Sequence, residues 1–336
     1  MVAQLFQQSC PLDSGQDFRG ERYQMFGPLE NRRILVTGAN GFIGSHLCRR
    51  LCQQGAEVHG IYRSRRPETG ADQCWWQADF ADLAQVRRIF EETRPELIFH
   101  LASHVKGAPD LDHVIPTFQS NLQSTVNLLA VAAECNCSRV VLTGSLAEPE
   151  IESGERFPSA PYAAAKWASS GYARMFHALY KLPIVIARVF MVYGPAQTDL
   201  TKLIPYVTLS LLQGKTPKIS SGERLVDWIY VSDVVTGFLA IAQGTDVDGA
   251  TLDVGSGSLL SIREIVEALA RLVGGKVEFG ALRDRPFEPV RVAKTAETFA
   301  RIGWKPAVSL QEGLERTVAW YREELERCPD MYSALV

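Results

Sequence analysis

The chain has 336 residues, of which 46% are hydrophobic and 22% are charged, as in an ordinary globular protein with one large or two coupled domains. Its formal net charge of −3 gives no general affinity for nucleic acid or for an anionic membrane. No apolar run approaches the roughly 20 residues that span a bilayer, and the first residues lack the pattern of a signal peptide.

The cysteines form an odd and scattered set, which is a poor disulfide framework: Cys10, Cys48, Cys52, Cys74, Cys135, Cys137 and Cys328. Cys135 and Cys137 form a C-x-C pair without a second ligand pair, so no metal site is expected. We therefore expect reduced thiols and a cytoplasmic protein.

The predicted elements begin after an N-terminal extension of mixed polarity, residues 1–30, for which the sequence leaves both a flexible tail and a packed arm open. From residue 32 onward, short apolar strands alternate with longer helices. Strands are predicted at 33–38, 57–62, 97–102, 139–145 and 183–189, and helices at 44–55, 83–95, 118–136 and 162–181. Such alternation predicts an α/β fold of the Rossmann type, a doubly wound parallel sheet covered on both faces.

The rhythm changes after residues 192–195, where helices dominate and a smaller C-terminal α/β lobe is expected. Helices are predicted at 203–214, 261–274 and 309–326, and a strand followed by a helix at 225–244. Ser261 with Glu264, and Ser309 with Glu312, have the spacing of capping boxes. We expect a cofactor-binding domain at 31–195 and a mainly substrate-binding lobe at 196–336, with residues of about 226–255 returning to the first domain.

A glycine-rich loop lies between the first strand and the first helix, in the stretch VTGANGFIGSHL (36–47). Gly38 permits a tight turn, Gly41 lets the backbone approach a pyrophosphate, and Gly44 lets the helix pack on the sheet. The amino terminus of the helix offers N–H groups and a positive dipole end to phosphates. This context predicts dinucleotide binding.

The end of the second strand predicts which dinucleotide is bound. Tyr62 is followed by Arg63, Ser64 and two further arginines that end at Arg66, and basic residues suit the 2′-phosphate of NADP better than the bare ribose of NAD. A solvated surface cluster is the alternative. Asp79, after the presumed third strand, is expected either to accept from the adenine amine or to cap the next helix.

Tyr162 and Lys166 are four residues apart, so they lie on one face of a helix. A nearby ammonium favours the phenolate and is expected to lower the pKa of Tyr162 from about 10 toward neutrality. Ser145 ends a predicted strand, at the edge where open α/β sheets bind ligands. Thr143 is the competing hydroxyl, and strand alternation favours Ser145. Together these residues predict acid–base chemistry during hydride transfer.

At this point the chain resembles the nucleotide-sugar epimerase/dehydratase branch of the extended short-chain dehydrogenase/reductase family. The resemblance covers about residues 32–325 and is carried by TGANGFIG, DFAD, HLAS, TGS, YAAAK, ARVFMVYGP, LIPYV, VDWIYVSDVV and RIGWKPAVSLQEGLERTVAW. It implies that Tyr162 is the general acid and base, Lys166 its partner and ribose ligand, and Ser145 the hydrogen-bond partner of the substrate oxygen. It also implies a homodimer formed through the helices near 118–134 and 162–180.

The resemblance extends the set of expected ligand contacts. Cofactor contacts are expected at Gly38, Asn40, Gly41, Phe42, Ile43, Gly44, Tyr62, Arg63, Ser64, Arg66, Asp79, Phe80, Leu101, Ala102, Ser103, Asn121, Thr143, Tyr162, Lys166 and Val189. Substrate contacts are expected at His104, Ser145, Leu146, Tyr162, Met191, Lys202, Arg224 and Arg291.

Departures from the family pattern reduce the number of reactions that we expect the protein to catalyse. Dehydratases of the family carry an acid two positions beyond the residue equivalent to Ser145, where this chain has Ala147, and Glu148 follows one position late. We therefore expect an NADP(H)-dependent 4-ketoreductase of a nucleotide-linked 4-keto-6-deoxyhexose, with a nucleotide-sugar 4-epimerase as the main alternative. A 4,6-dehydratase, a reductase of a small ketone without a nucleotide, and a non-catalytic dinucleotide sensor are disfavoured alternatives.

Overall fold

The structure is a computed structural model that describes residues 29–64, 73–150, 157–284 and 288–328. Its main feature is a parallel sheet of seven strands in the order β3-β2-β1-β4-β5-β6-β9. These strands are β1 (Arg33–Thr37), β2 (Glu57–Tyr62), β3 (Cys74–Gln77), β4 (Leu97–His100), β5 (Arg139–Ser145), β6 (Ile184–Val189) and β9 (Thr251–Val254). The strand order reverses between β1 and β4, as in doubly wound dinucleotide-binding folds, which confirms the predicted fold class.

Helices cover both faces of this sheet because its strands are apolar on both sides. One face packs against α2 (Leu83–Thr93), α4 (Ser124–Ala133) and α5 (Pro161–Tyr180), and the other against α1 (Phe42–Gln53) and α7 (Val231–Gln243). Asp82 caps α2 by accepting hydrogen bonds from the backbone N–H groups of Ala84 and Gln85. The cap of this helix is therefore Asp82 and not Asp79.

The predicted single helix over 118–136 is more complex in the structure. A short helix α3 (Val114–Thr117) leads into a π-helical segment, Phe118–Gln123, which continues as α4. The wider turn of a π-helix displaces the residues that follow it, and such segments are frequent at functional sites.

A second sheet organises the smaller lobe, with strand order β10-β8-β7. It consists of β7 (Met191–Tyr193), β8 (Leu225–Tyr230) and β10 (Leu259–Ser261), and it packs with α6 (Leu203–Leu212), α8 (Ile262–Val273) and α10 (Leu310–Arg327). Strands β7 and β10 and the helix α9 (Thr295–Ile302) have no counterpart among the predicted elements. The capping box of Ser261 and Glu264 is confirmed at the start of α8.

Two elements from the C-terminal half return to the main sheet. Strand β9 pairs with β6, and α7 packs against α1 and the sheet, whereas β8 stays in the small sheet. Asp233, in the first turn of α7, accepts hydrogen bonds from the N–H groups of Ala307 and Val308 at 3.1 and 3.0 Å. This buried carboxylate therefore joins α7 to the segment that precedes α10.

The cysteines follow the prediction in part. Cys48, Cys74, Cys135 and Cys137 are free thiols, but Cys328 is disulfide-bonded, so the prediction that every thiol is reduced is wrong. Among the described residues, no helix is both long and apolar enough to cross a bilayer.

Candidate active site

The glycine loop forms a close cradle between β1 and α1. Gly38 has a φ of +66°, and a Cβ there would lie 2.8 Å from the backbone nitrogen of Ala102. A Cβ on Gly44 would lie 2.1 Å from the carbonyl oxygen of Gly38. Side chains are therefore excluded at both positions, because the turn after β1 lies close to the loop that follows β4 and the first turn of α1 lies close to the turn after β1. Asn40 lies in this turn, and Phe42 and Ile43 begin α1, so these predicted cofactor residues stand next to one another along the loop.

A buried polar network, which the sequence analysis missed, holds this loop in place. The hydroxyl of Thr37 accepts hydrogen bonds from the N–H groups of Leu101 and Ala102 at 3.1 Å each and contacts Nδ1 of His100 at 2.8 Å. Burial and the charge of Lys166 lower the pKa of His100 to about 3, so its ring is neutral at physiological pH. The network fixes the backbone of Ala102 against Gly38.

The end of β2 places Arg63 where the sequence predicts it. Arg63 follows the last strand residue, Tyr62, and donates a hydrogen bond from Nη1 to the hydroxyl of Ser120 at 3.0 Å. Ser64 is exposed beside it, whereas Arg66 lies outside the described residues. Thus one of the predicted arginines stands at the predicted position, tied to the π-helical segment.

Asp79 and Phe80 follow β3. Oδ1 of Asp79 accepts the N–H of Ala81 at 3.0 Å, and the N–H of Asp79 donates to Gln85 at 2.9 Å. Phe80 is buried in the apolar layer beneath. These contacts orient the Asp79 carboxylate inside its own turn without making it a helix cap.

The three predicted catalytic residues come together at the carboxyl ends of β4 and β5. Ser145 is the last residue of β5, and its side chain hydrogen-bonds the phenol of Tyr162, in the first turn of α5. Lys166 lies one turn further along α5 and donates from Nζ to the carbonyl oxygen of Thr143 at 2.9 Å. A hydroxyl, a phenol and an amine therefore meet beside the glycine loop.

The pKa values of this group differ from the expectation. Burial raises the pKa of Tyr162 to about 12, with a smaller lowering by the Ser145 hydrogen bond and a further rise from the charge of Glu148. Burial lowers the pKa of Lys166 to about 8. The predicted lowering of the Tyr162 pKa is therefore wrong for the chain alone, because desolvation of the phenolate is the largest influence and only the Ser145 hydrogen bond opposes it. At neutral pH Tyr162 is a phenol that can donate its proton.

Buried polar atoms without a partner mark the space around this group. Within the described part of the chain, the hydroxyls of Ser103 and Thr143 and Nε2 of His104 are buried and make no hydrogen bond. Burying such groups is costly unless something satisfies them. Ser103 and His104 lie in the loop after β4, next to the glycine cradle, and Thr143 lies near the end of β5. The site therefore fits a dinucleotide whose polar atoms these groups would meet.

Asn121, where a cofactor contact is predicted, hydrogen-bonds the backbone of His104. Its Oδ1 accepts the N–H of His104 at 2.6 Å, and its Nδ2 donates to the carbonyl oxygen of His104 at 3.2 Å. The side chain is 1% exposed and sits in the π-helical segment. Asn121 therefore fixes the loop that carries His104, and this role was invisible in the sequence because both partners are backbone atoms.

The predicted substrate residues separate into two groups. Leu146 is buried just after β5, and Met191 is half-buried at the start of β7, next to Val189, a predicted cofactor residue that is buried at the end of β6. The cations, in contrast, are engaged with the protein.

Arg224 pairs with Glu288, and Lys202 lies 3.9 Å from Asp199. Arg291 donates from Nη1 to the carbonyl oxygens of Leu146 and Glu148 at 2.9 and 2.8 Å. Arg291 therefore holds the loop after Ser145, and its contact with substrate stays a prediction.

A doubly wound sheet with a glycine cradle and a Ser-Tyr-Lys group at its carboxyl edge defines a short-chain dehydrogenase/reductase. The model of the NAD-dependent epimerase/dehydratase family matches residues 34–255. The chain belongs to this family, and it is an enzyme of the extended short-chain dehydrogenase/reductase class.

Known proteins resemble the chain over most of its length. It is 34% identical to the UDP-glucose 4-epimerase of Mycolicibacterium smegmatis, over 87% of this chain and 99% of the relative. It is 28% identical to the dTDP-glucose 4,6-dehydratase of Haemophilus influenzae, over 86% of this chain and 97% of the relative. The structure of a Thermus thermophilus UDP-glucose 4-epimerase in complex with NAD superimposes with a TM-score of 0.77 at 27% identity, covering 86% of this chain and 99% of that one.

Proposed function

We propose that the protein is a nucleotide-sugar 4-epimerase that acts on a UDP- or dTDP-linked hexose with a bound dinucleotide. The convergence of Ser145, Tyr162 and Lys166 beside the glycine cradle is the observation that carries this proposal. The relative that is 34% identical to this chain is named as a UDP-glucose 4-epimerase, which supports the 4-epimerase over the ketoreductase favoured by the sequence. The domain boundaries at 31–195 and 196–336 remain part of the proposal.

The roles of the three side chains follow from their protonation. A dinucleotide held by the glycine loop and Lys166 would supply reversible hydride transfer at C4 of the sugar. Tyr162 would exchange a proton with the oxygen on C4, and Ser145 would hold that oxygen by a hydrogen bond. Lys166, with a pKa of about 8, is largely protonated at neutral pH and would hold the nicotinamide ribose and favour the phenolate when Tyr162 acts as a base.

A 4-ketoreductase that uses NADPH is the second candidate, and Arg63 favours it. Its guanidinium stands at the end of β2, where a 2′-phosphate would bind. A dehydratase is less well supported, because Ala147 occupies the position of the expected acid and the carboxylate of Glu148 bonds the Ser145 backbone.

Product analysis distinguishes the two candidates. Purified protein is incubated with UDP-glucose, UDP-galactose or their dTDP analogues, without added reductant, and the sugars are separated. The proposal expects interconversion of the C4 epimers with no net consumption of NADPH. A parallel incubation contains NADPH and a 4-keto-6-deoxy sugar nucleotide. Consumption of one NADPH per product there, with no epimerisation in the first incubation, would favour the ketoreductase instead.

A homodimer is also proposed, with the helices α3 to α5 at its centre. The π-helical segment packs against α5, and large apolar side chains are exposed along both: Phe118, Trp167, Tyr172, Leu179 and Tyr180. A cluster of exposed apolar side chains of this kind is typical of an interface. Analytical ultracentrifugation tests this, and a monomer at micromolar concentration would contradict it.

A further inference from the structure

Glu148 is a buried carboxylate in the loop after β5, three residues beyond Ser145. Its side chain folds back, so that Oε1 accepts the N–H of Ser145 at 2.7 Å, while its own N–H donates to the carbonyl oxygen of Ser145 at 3.1 Å. The residue is 4% exposed. Two hydrogen bonds between the same residues close a turn that fixes the backbone from which the Ser145 hydroxyl projects.

The surroundings are shaped to hold this carboxylate. A Cβ on Gly144 would lie 2.8 Å from Oε1 of Glu148 and 2.9 Å from Cγ2 of Ile186, so a glycine is needed beside it. Arg291, far along the chain, fixes the same turn by donating to the carbonyl oxygens of Leu146 and Glu148. The carboxylate therefore occupies one defined position, directed into the protein.

The charge of Glu148 acts on both titrating residues of the site. It raises the pKa of Lys166, against the larger lowering by burial, and it adds to the rise in the pKa of Tyr162. The pKa of Glu148 itself is raised by burial, and the side chain of Ser170, the N–H of Ser145 and the charges of Arg188 and Lys166 oppose that rise only in part. A buried carboxylate is costly unless it is hydrogen-bonded, and here the Ser145 N–H supplies that hydrogen bond near the reacting residues.

We propose that Glu148 is a positioning residue of the active site: its carboxylate fixes the turn that presents Ser145 and places a negative charge beside the Tyr162–Lys166 pair. This inference rests on the proposed roles of Ser145, Tyr162 and Lys166. It assigns Glu148 a task other than proton transfer to the substrate, since the carboxylate bonds the protein backbone.

The variant Glu148→Gln tests the charge, because its amide oxygen can still accept the Ser145 N–H. The protein is labelled with ¹³C at Cε of lysine, and the resonance of Lys166 is identified by its absence in Lys166→Arg. Loss of the neighbouring charge should move the titration midpoint of Lys166 downward by about one pH unit. Glu150→Gln is the nearby control: Glu150 pairs with Arg188 and Arg291, but only the charge of Glu148 raises the pKa of Lys166, so the control should leave the midpoint unchanged. An unchanged midpoint in Glu148→Gln would overturn the proposal.

A measurement on the unmodified protein covers the case in which Glu148→Gln does not fold. Protein labelled with ¹³C at the glycine carbonyl and ¹⁵N at serine gives a signal for the Gly144–Ser145 peptide, assigned with Ser145→Ala. The Ser145 amide resonance should follow the protonation of one carboxyl group as the pH falls. A resonance that stays constant while the fold persists would contradict the hydrogen bond from Ser145 to Glu148.

The proposed function has a separate readout. If Tyr162→Phe keeps full activity, the assigned acid–base role fails whatever Lys166 does. If Tyr162→Phe is inactive but the titration midpoint of Lys166 is the same in Glu148→Gln and in the wild type, only the inference about Glu148 fails.

Discussion

Charged side chains at the carboxyl edge of the main sheet and in the small lobe differ in how deeply they are buried and in what they bind. At the edge, Lys166 and Glu148 are buried and held by backbone groups, so their positions are set before any ligand arrives. In the small lobe, Arg224 is only partly buried and forms an ion pair with Glu288. We infer that the first region is preorganised for chemistry, whereas the second exchanges protein partners for substrate phosphates.

Replacing the phenol of Tyr162 should have the largest effect, because it removes the proposed proton donor from the preorganised edge of the sheet. In Tyr162→Phe the proton donor is lost while the ring and its packing remain, so kcat should fall by about 10²- to 10⁴-fold. The affinity for the dinucleotide should stay within about threefold, since the phosphate cradle is untouched. Steady-state kinetics and calorimetric titration measure the two. Equal losses in kcat and in cofactor affinity would show that Tyr162 supports the folded site and does not transfer the proton.

Closing the phosphate cradle should give the next largest effect. In Gly44→Ala the new Cβ would approach the carbonyl oxygen of Gly38 to 2.1 Å, so the loop must shift, and dinucleotide affinity should weaken by roughly ten- to a hundredfold. Gly171→Ala is the matched control on α5, because no atom lies within 4 Å of its Cβ. The control should bind normally and melt within a few degrees of the wild type. Normal binding by Gly44→Ala would show that the loop is not the phosphate site.

Removing a cation of the small lobe should have a smaller and more selective effect. Arg224→Met should raise KM for the nucleotide sugar by about tenfold and leave dinucleotide affinity unchanged, since a charge-assisted hydrogen bond is worth roughly 1.5–3 kcal/mol. Arg263→Met is the control, as this guanidinium stacks on Phe279 and donates to the Ser221 carbonyl. The control should lower thermal stability without raising KM. If KM rises in both variants in proportion to the loss of thermal stability, Arg224 does not bind the substrate.

The sequence was most informative where function depends on local spacing. The cradle at Gly38, Gly41 and Gly44 and the helical pair of Tyr162 and Lys166 each require residues a few positions apart, and one element brings them together. Strand alternation also placed Ser145 correctly at the end of β5. These features follow from the periodicities of strands and helices alone.

Features that depend on distant partners could not be predicted in the same way. Arg291 bonds carbonyl groups that precede it by more than 140 residues, and Asn121 bonds the backbone of His104 across the π-helical segment. Either side chain looks like a ligand contact when its partners are unknown. The pKa of Tyr162 was also misjudged, because the sequence shows a nearby lysine but does not show how deeply the phenol is buried.

The central claim is that this edge of the sheet moves a hydride between a nucleotide sugar and the bound dinucleotide, with Tyr162 handling the proton. The direct measurement uses UDP-glucose deuterated at C4, rapid quenching, and mass spectrometry of the cofactor released from the protein. The account predicts deuterium on the nicotinamide of the wild-type protein and almost none with Tyr162→Phe. Epimerisation by the wild type without deuterium on the cofactor, or equal labelling in the two proteins, would contradict it.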